Sequence, residues 1–462
     1  MRWLMSSRVE PRSQAAWRLR RLNNPMYSSL SSHRRSCRCG TVDPVTHKTD
    51  DIEELIATLG QAQLAAGYPV NEVDDTLKAV ASAYGRADLQ IYVLPNAVFV
   101  DDAEGGRARI VSTNMGSYRL DQAAVVHRIA RQAVSAHLPA LDATRRLRSV
   151  AELPARFPTW VTIIANGVAA AGFALVFRIS LWGVLISFVL GMFVAVALVL
   201  SRKRPALNSL VPFFAAAVAA YVVFTIGSIF DEEIQPIRAV AAPIITLIPG
   251  VGLTRGTQEL ANGQIMSGSA RLMNSVVQIF VLTFGVIVGA QLAPIDNYQF
   301  GDLTEVLLPW WAAWLGVLVF AVGQSVVSNE ARGGIRVVIG LLLVAYGVQT
   351  LISTTIDPIL GAGAGAAAAL FLAIVYQRRS RLGMPAFALF EPVFWLLVPG
   401  SLGLVALTET IAGSSSWTTL DNGGDVLFVT GASILAITIG MIIASAFGKF
   451  VPAIVPDEAD LD

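Results

Sequence analysis

Long apolar stretches dominate the chain after residue 158 and restrict what it can fold into. The sequence has 462 residues, of which 54% are hydrophobic and only 15% are charged. A soluble protein would carry about 25% charged residues. The stretches run 17 to 22 residues each, close to the roughly 20 that an α-helix needs to cross the hydrocarbon of a bilayer. The sequence therefore predicts a polytopic α-helical membrane protein embedded in a lipid bilayer.

About ten transmembrane helices are predicted. The stretches are Trp160–Phe177, Leu181–Leu200, Leu210–Phe230, Ile237–Leu253, Val276–Leu292, Leu307–Val327, Ile335–Ile352, Ile359–Tyr376, Ala386–Leu407 and Val426–Phe447. Basic residues in the connections predict the orientation, because Lys and Arg accumulate on the cytoplasmic side. If the N-terminal part is cytoplasmic, the inside connections hold eleven basic residues and the outside connections hold two. Both termini are thus predicted to be cytoplasmic.

The first 50 residues form a basic, Ser-rich stretch without apolar periodicity. Residues 1–50 are predicted to be a disordered tail, although their composition also resembles an organelle transit peptide. A start codon assigned too far upstream is a third interpretation. Both cysteines, Cys37 and Cys39, fall in this tail, and a single Cys-x-Cys is weak support for a metal site. We interpret them as incidental thiols and predict no bound metal.

Residues 51–150 are predicted to form a small soluble α+β domain in the cytoplasm. Two segments have apolar residues at helical spacing, and the second places Val73, Leu77 and Val80 on one face. The short β-branched runs "LQIYVL", "AVFVDD" and "ARIVST" follow, separated by turn residues, and are predicted to be strands. Scattered acidic residues and His127 lack a nucleophile motif, a metal-spaced cluster or a phosphate loop. No catalytic residues and no cofactor are therefore predicted here.

An internal repeat relates the two halves of the apolar region. "LIPGVGLTRGTQELANG", which begins at Leu247, resembles "LVPGSLGLVALTETIAG", which begins at Leu397. The separation of about 150 residues predicts two five-helix repeats, at 158–293 and 305–448, followed by a short acidic tail at 449–462. Because five is odd, the second repeat is expected to be inverted in the membrane. Inverted repeats with matching interrupted helices are typical of secondary transporters.

The two Pro-Gly breaks are the predicted substrate site. Irregular backbone at membrane depth is tolerated where it is buried in protein or lines a watery cavity, and its free carbonyls and amides suit a zwitterionic solute. The predicted substrate-binding residues are Pro249, Gly250, Gly252, Thr257, Asn262, Pro399, Gly400, Gly403 and Thr408. Close helix packing by Gly is the alternative explanation. Asn166 and Gln278 either line a path or hydrogen-bond between helices.

Carboxylates within or beside the apolar stretches are the predicted proton carriers. They are Glu259, Glu409 and Glu391, and every His precedes the first stretch, so a proton relay in the membrane would use carboxylates. A solvated helix end or a headgroup-level acid is the alternative interpretation for each. The expected partners are a small amino acid, protons and the bilayer, with no nucleic acid. A homo-oligomer stays open.

The chain resembles the threonine/serine exporter family over about residues 50 to 450. "AAGYPVNEVDDTLKAVASAYG" with "QIYVLPNAVFV", then "IPGVGLTRGTQELANGQIMSGSARL" and "VPGSLGLVALTETIAG" carry the resemblance. It implies export of L-threonine and L-serine across the inner (plasma) membrane, driven by the proton motive force, in a multi-pass antiporter. Two other functions stay open: a membrane-anchored enzyme with a hydrolase-like cytoplasmic domain, and a passive small-solute channel.

Overall fold

The computed structural model describes residues 44–102, 106–113, 118–202, 204, 209–230, 236–293, 308–331, 333–380, 384–397 and 423–452. From Asp50 onward these residues belong to one compact unit. The part of it formed by residues 50–150 is called the N-terminal layer below.

The N-terminal layer is built from four helices and one small sheet. The helices are α1 (Pro44–Ala65), α2 (Val70–Ala83), α3 (Leu120–Val134) and α4 (Ala140–Val150); the strands are β1 (Gln90–Leu94), β2 (Ala97–Asp102) and β3 (Arg107–Ser112). The strands pair antiparallel in the order β1-β2-β3. Val73, Leu77 and Val80 are fully buried, so the predicted apolar face of α2 is confirmed.

The glycine between α1 and α2 is required by its backbone conformation. Gly67 has a φ of +84°, in the left-handed region that side chains disfavour. The helix α1 therefore ends just before it, and the amide of Tyr68 donates to the carbonyl of Gln63 over 3.1 Å, as in a Schellman-type C-cap. This turn leaves the Gly67 carbonyl free to accept a bond from outside the layer.

Most of the predicted spans are long apolar helices. They are α5 (Thr159–Val176), α6 (Leu181–Ser201), α7 (Val211–Phe230), α10 (Ile265–Leu292), α11 (Trp310–Val327), α12 (Gly334–Thr355), α13 (Pro358–Arg379) and α15 (Gly423–Gly448). Among the described residues, seven of these helices are long and apolar enough to cross a membrane, and α7 has a shorter apolar part, Val211–Gly227. The chain is thus a mostly helical, multi-span membrane protein. A shorter apolar helix, α14, covers Ala386–Leu397, and the remainder of the ninth predicted stretch lies outside the described residues.

The fourth predicted span is wrong as a single continuous helix. The stretch Ile237–Leu253 instead contains α8 (Pro236–Ala241), a 3₁₀ turn at Ile245–Leu247 and the start of α9 (Gly250–Ala261). Pro243 explains the first break, because proline lacks an amide donor and disfavours helical backbone at the residue before it. A second proline six residues later keeps the chain from resuming the helix until Gly250.

Helices α5 and α11 run antiparallel in close contact. At one end the Phe157 amide donates to Asn329 Oδ1 over 3.2 Å, and at the other the Leu308 amide donates to the Arg178 carbonyl over 2.9 Å. Glycines allow the close approach, because a methyl group added at Gly172 would lie 2.3 Å from the backbone nitrogen of Phe320 on α11. Helix α7 packs on α10, and α13 packs on α15, through similar glycine contacts.

Candidate functional site

A buried charge cluster lies where α9 meets the N-terminal layer. Helix α9 starts at the Pro-Gly break, and Thr254, Arg255 and Glu259 are buried along one side of it. Residues i and i+4 share a helix face, which is why Arg255 and Glu259 point the same way. A buried arginine is costly unless it is paired, so its partners identify what the cluster does.

Arg255 links α9 to the N-terminal layer. Its Nη1 donates to the Gly67 carbonyl over 3.0 Å, and its guanidinium lies 5.4 Å and 5.8 Å from the ring centroids of Phe387 and Phe394 on α14. These distances are within the range of cation–π attraction. The Nη2 atom is 3.9 Å from Glu391 Oε2 and has no hydrogen-bond acceptor among the described residues. Arg255 therefore keeps donor capacity within a buried site.

Glu391, one of the predicted proton carriers, is the carboxylate facing Arg255. It lies on α14, and 27% of its side chain is exposed. A separation of 3.9 Å is an ion pair without a direct hydrogen bond. Glu391 is thus partly accessible to solvent and makes no direct hydrogen bond with the cation that it faces.

Glu259, another predicted proton carrier, is held much more tightly. Its Oε2 accepts a bond of 3.0 Å from Arg271 Nε and a short bond from the Ser267 hydroxyl, both on α10. Only 2% of its side chain is exposed. Gly256 and Gly268 let α9 and α10 approach closely enough for these contacts. The Glu259–Arg271 pair therefore fastens the α9–α10 hairpin.

Two more carboxylates outside the spans border the same cluster. Protein around Glu72 removes enough hydration to raise the pKa of its carboxyl to about 7, although the charge of Arg255 opposes this. The side chain is nevertheless exposed to solvent. Burial raises the pKa of Glu330, between α11 and α12, to about 8, and the charge of Glu391 adds to the rise. Both groups can exchange protons near neutral pH.

Tyr68 and His127 form the contact beside the charges. The Tyr68 hydroxyl and His127 Nδ1 share a hydrogen bond of 2.8 Å, and the Tyr68 ring packs edge-on against Phe387 at 4.2 Å. The pKa of His127 is lowered to about 4, mainly because the imidazole is buried and also because of the positive charge of Arg131. A neutral imidazole thus supports the tyrosine that docks the N-terminal layer on α14.

The structure brings only some of the predicted site residues together. Pro249 and Gly250 start α9, and Glu259 and Glu391 join the cluster. A methyl group added at Gly252 would lie 2.3 Å from Ser275 Oγ, so the glycine permits close packing of α9 against α10. The Thr257 hydroxyl donates to the Leu253 carbonyl within its own helix. Asn262 is exposed at the end of α9.

The second break is outside the described residues. The predicted site residues at this break are Pro399, Gly400, Gly403, Thr408 and Glu409. Their predicted roles remain predictions.

Polar groups also accompany the first break. Gln278 on α10 donates to the Leu247 carbonyl over 2.6 Å, so it forms one of the interhelical bonds considered as its alternative role. The Thr246 hydroxyl is buried and has no hydrogen-bond partner among the described residues. Asn166 donates to the Gly191 carbonyl on α6 over 2.7 Å.

Sequence reasoning missed Arg255 and Glu330. In the sequence, Arg255 is one of the eleven basic residues of the predicted inside connections, and Glu330 lies in no motif. The signal for Arg255 was its spacing of four residues from Glu259 in a helix that follows a Pro-Gly break. No comparable local signal marks Glu330, whose burial depends on α11 meeting the N-terminal layer.

The cluster has the chemistry to hold a zwitterion. An arginine with an unused donor suits a carboxylate, and a partly accessible carboxylate suits an ammonium group. Among the described residues, no group of three or more His, Cys, Asp or Glu could hold a metal ion.

Comparison with known proteins identifies a family that matches the N-terminal layer and the first half of the apolar region. The family described as "Putative threonine/serine exporter" matches residues 54–293. An uncharacterized protein of Schizosaccharomyces pombe is 26% identical over 247 residues, covering 52% of this chain and 30% of that protein. Pheromone-regulated membrane protein 10 of Eremothecium gossypii is 23% identical, covering 60% of this chain and 38% of that protein.

A bacterial relative has a functional name. The threonine/serine exporter of Corynebacterium glutamicum is 22% identical over 269 residues, covering 56% of this chain and 53% of that protein. The chain therefore spans well under two thirds of the length of these relatives. No solved structure matches the chain.

Proposed function

This chain belongs to the threonine/serine exporter family, and from that premise we propose that it exports small hydroxy amino acids by exchanging them for protons. The substrates would be L-threonine and L-serine, and the proton motive force across the plasma membrane would drive them out. The observation that carries the proposal is the pair of buried Arg255 and partly accessible Glu391 beside a broken helix, in which Arg255 Nη2 has no acceptor among the described residues.

In the proposed mechanism, Arg255 binds the substrate carboxylate. Its Nη2 is buried without an acceptor among the described residues, and a charge-assisted bond to a carboxylate would satisfy it. Phe387 and Phe394 flank the guanidinium and limit its movement. Glu391 would accept from the substrate ammonium. The Thr246 hydroxyl, buried at the break with no partner among the described residues, would bind the hydroxyl of a threonine or serine.

Glu391 is the better proton carrier of the two described carboxylates that the sequence suggested. Glu259 is fixed by Arg271 and Ser267, so protonating it would break a buried ion pair, which is costly. Glu391 is partly accessible, and its one ion pair within the described part of the chain is the 3.9 Å contact with Arg255. Glu330, buried nearby with a raised pKa, would pass protons to the same region.

The helix arrangement supports alternating access between two inverted halves. Helices α5 and α11 are the first of each proposed half, and they run antiparallel. The third and fifth helices pair within each half, as α7 with α10 and α13 with α15. An inversion symmetry predicts these equivalent pairings. In this proposal the α5–α11 pair would form the fixed axis, and the remaining helices of the two halves would move about it to open the charge cluster to each side in turn.

The test is threonine release from proteoliposomes that contain the full chain. Vesicles loaded with labelled threonine should release it faster when the outside is made acidic, and valine, which lacks the hydroxyl, should be released much more slowly. Glu391→Gln should abolish the acceleration while exchange of labelled for unlabelled threonine continues. Glu152→Gln, an exposed carboxylate outside the cluster, is the matched control and should behave as wild type.

Three outcomes would contradict the proposal. Release that is insensitive to the gradient in the wild-type protein would reject proton coupling. Flux that rises linearly with threonine concentration and never saturates would favour the channel. Conversion of threonine to another compound by the reconstituted protein would favour the membrane-anchored enzyme.

A further inference from the structure

A cavity separate from the charge cluster opens between the N-terminal layer and the ends of α5 and α6. It has a volume of about 560 Å³. None of the cluster residues described above lines it. Its lining combines polar and apolar side chains; Arg119, Gln122 and Arg202 are called the polar end below, and Ile163, Leu198 and Val199 the apolar wall, while further polar residues such as Thr162 and Asn166 also contribute. A cavity with this lining fits an amphipathic ligand better than a small polar one.

The polar end carries positive charge. Arg119 is in an ion pair with Asp121 at 3.0 Å and also donates to the Leu153 carbonyl, so most of its capacity is used. Arg202 is exposed immediately after α6, and within the described part of the chain its guanidinium has no hydrogen bond or ion pair. Arg202 is therefore the group that is free to bind an anion.

The cavity lies at the level where lipid headgroups are expected. Helix α5 begins at Thr159 and α6 ends at Ser201, so the polar end is at the terminus of two spanning helices. Trp160 is 65% exposed at this level, and tryptophan favours the membrane–water boundary. The outer face of α6 is apolar and exposed along its length, as expected for contact with acyl chains.

We infer that this cavity binds one anionic phospholipid. The phosphate would bind Arg202, and part of one acyl chain would lie along the wall formed by Ile163, Leu198 and Val199. A basic residue near the end of a spanning helix attracts anionic lipid through its charge. The apolar wall distinguishes this from a site for a free soluble phosphate, which would gain nothing from it.

Native mass spectrometry of the full chain tests the inference. The protein is released from micelles that contain dioleoylphosphatidylglycerol or dioleoylphosphatidylcholine, and the fraction that retains one lipid is measured. Phosphatidylglycerol should be retained preferentially, and Arg202→Gln should lower its retention about tenfold, the loss expected for one charge-assisted contact. Arg204→Gln is the matched control, because Arg204 is exposed two residues later and does not line the cavity.

A second variant addresses the apolar wall. Leu198→Trp should fill the cavity and lower the retention of phosphatidylglycerol without changing any charge. Equal losses in Arg202→Gln and Arg204→Gln would overturn the inference in favour of a diffuse surface charge. Equal retention of the two lipids would overturn it as well. Displacement of the lipid by excess inorganic phosphate would show that a free anion, rather than a lipid, is the ligand.

Discussion

Acidification should loosen the N-terminal layer through His127. Only 7% of this side chain is exposed, and burial lowers the pKa of its imidazole from 6.5 to about 4. As the pH falls below 6.5 the unfolded chain binds the proton first, so stability that is present above pH 6.5 is lost down to about pH 4. The loss at pH 5 should be about 2 kcal/mol.

Amide hydrogen exchange of α3 in lipid nanodiscs measures this loss. Glu72 and Glu330 have raised pKa values and give the opposite trend, because their stabilisation is present at low pH and is lost as the pH rises through about 7 and about 8. The quantity to compare is therefore the difference in α3 protection between the wild-type protein and the His127→Gln variant. Between pH 7.5 and pH 5 the protection of α3 relative to this variant should fall about thirtyfold, after correction for intrinsic exchange.

Two results would refute the reasoning about His127. One is that the protection of α3 depends on pH in the same way in the wild-type protein and in the His127→Gln variant. The other is an equal pH-dependent difference for His137→Gln, which changes an exposed histidine just after α3 and serves as the control.

Two further changes test the packing and the charge cluster. Gly289→Ala should destabilise the protein by about 1–3 kcal/mol, because the added methyl would lie 2.0 Å from the carbonyl oxygen of Ala217. Gly340→Ala, whose methyl would meet nothing within 4 Å, should not lower the melting temperature, because alanine is the better helix former. Arg255→Gln should cost about 1–3 kcal/mol, because the buried Gly67 carbonyl loses its donor and Glu391 loses its cation, and adding Glu391→Gln should recover part of that stability without restoring threonine release. Melting temperatures measured in detergent test both predictions. Equal melting temperatures for Gly289→Ala and Gly340→Ala would contradict the first. Additive losses of stability from Arg255→Gln and Glu391→Gln in the double variant would contradict the second.

The sequence predicted the elements whose signal is local. The alternating β-branched runs became β1, β2 and β3, and the apolar face of α2 is buried as expected. Helices α5 and α6 match their predicted spans to within a residue or two, because length and hydropathy alone define such helices. The fourth span failed because Pro243 outweighs the apolar character of its neighbours.

The candidate site was less predictable because it depends on contacts between distant parts of the chain. Arg255 meets the carbonyl of Gly67, 188 residues earlier, and no local pattern specifies that partner. Glu259 and Glu391 were identified because charge in an apolar segment is conspicuous. The packing of α9 on α10 fixes Glu259, and the packing of α14 on the N-terminal layer leaves Glu391 partly accessible to solvent. Neither outcome can be predicted from the local sequence.

The contact between α5 and α11 also restricts how the molecule can move. Gly172, Gly316 and Gly323 let the two backbones touch with no side chain between them. A rotation or slide of either helix would drive backbone atoms into each other or open a void. The two helices should therefore travel as one rigid lever, and the hinges of any transport cycle must lie in the connections around it.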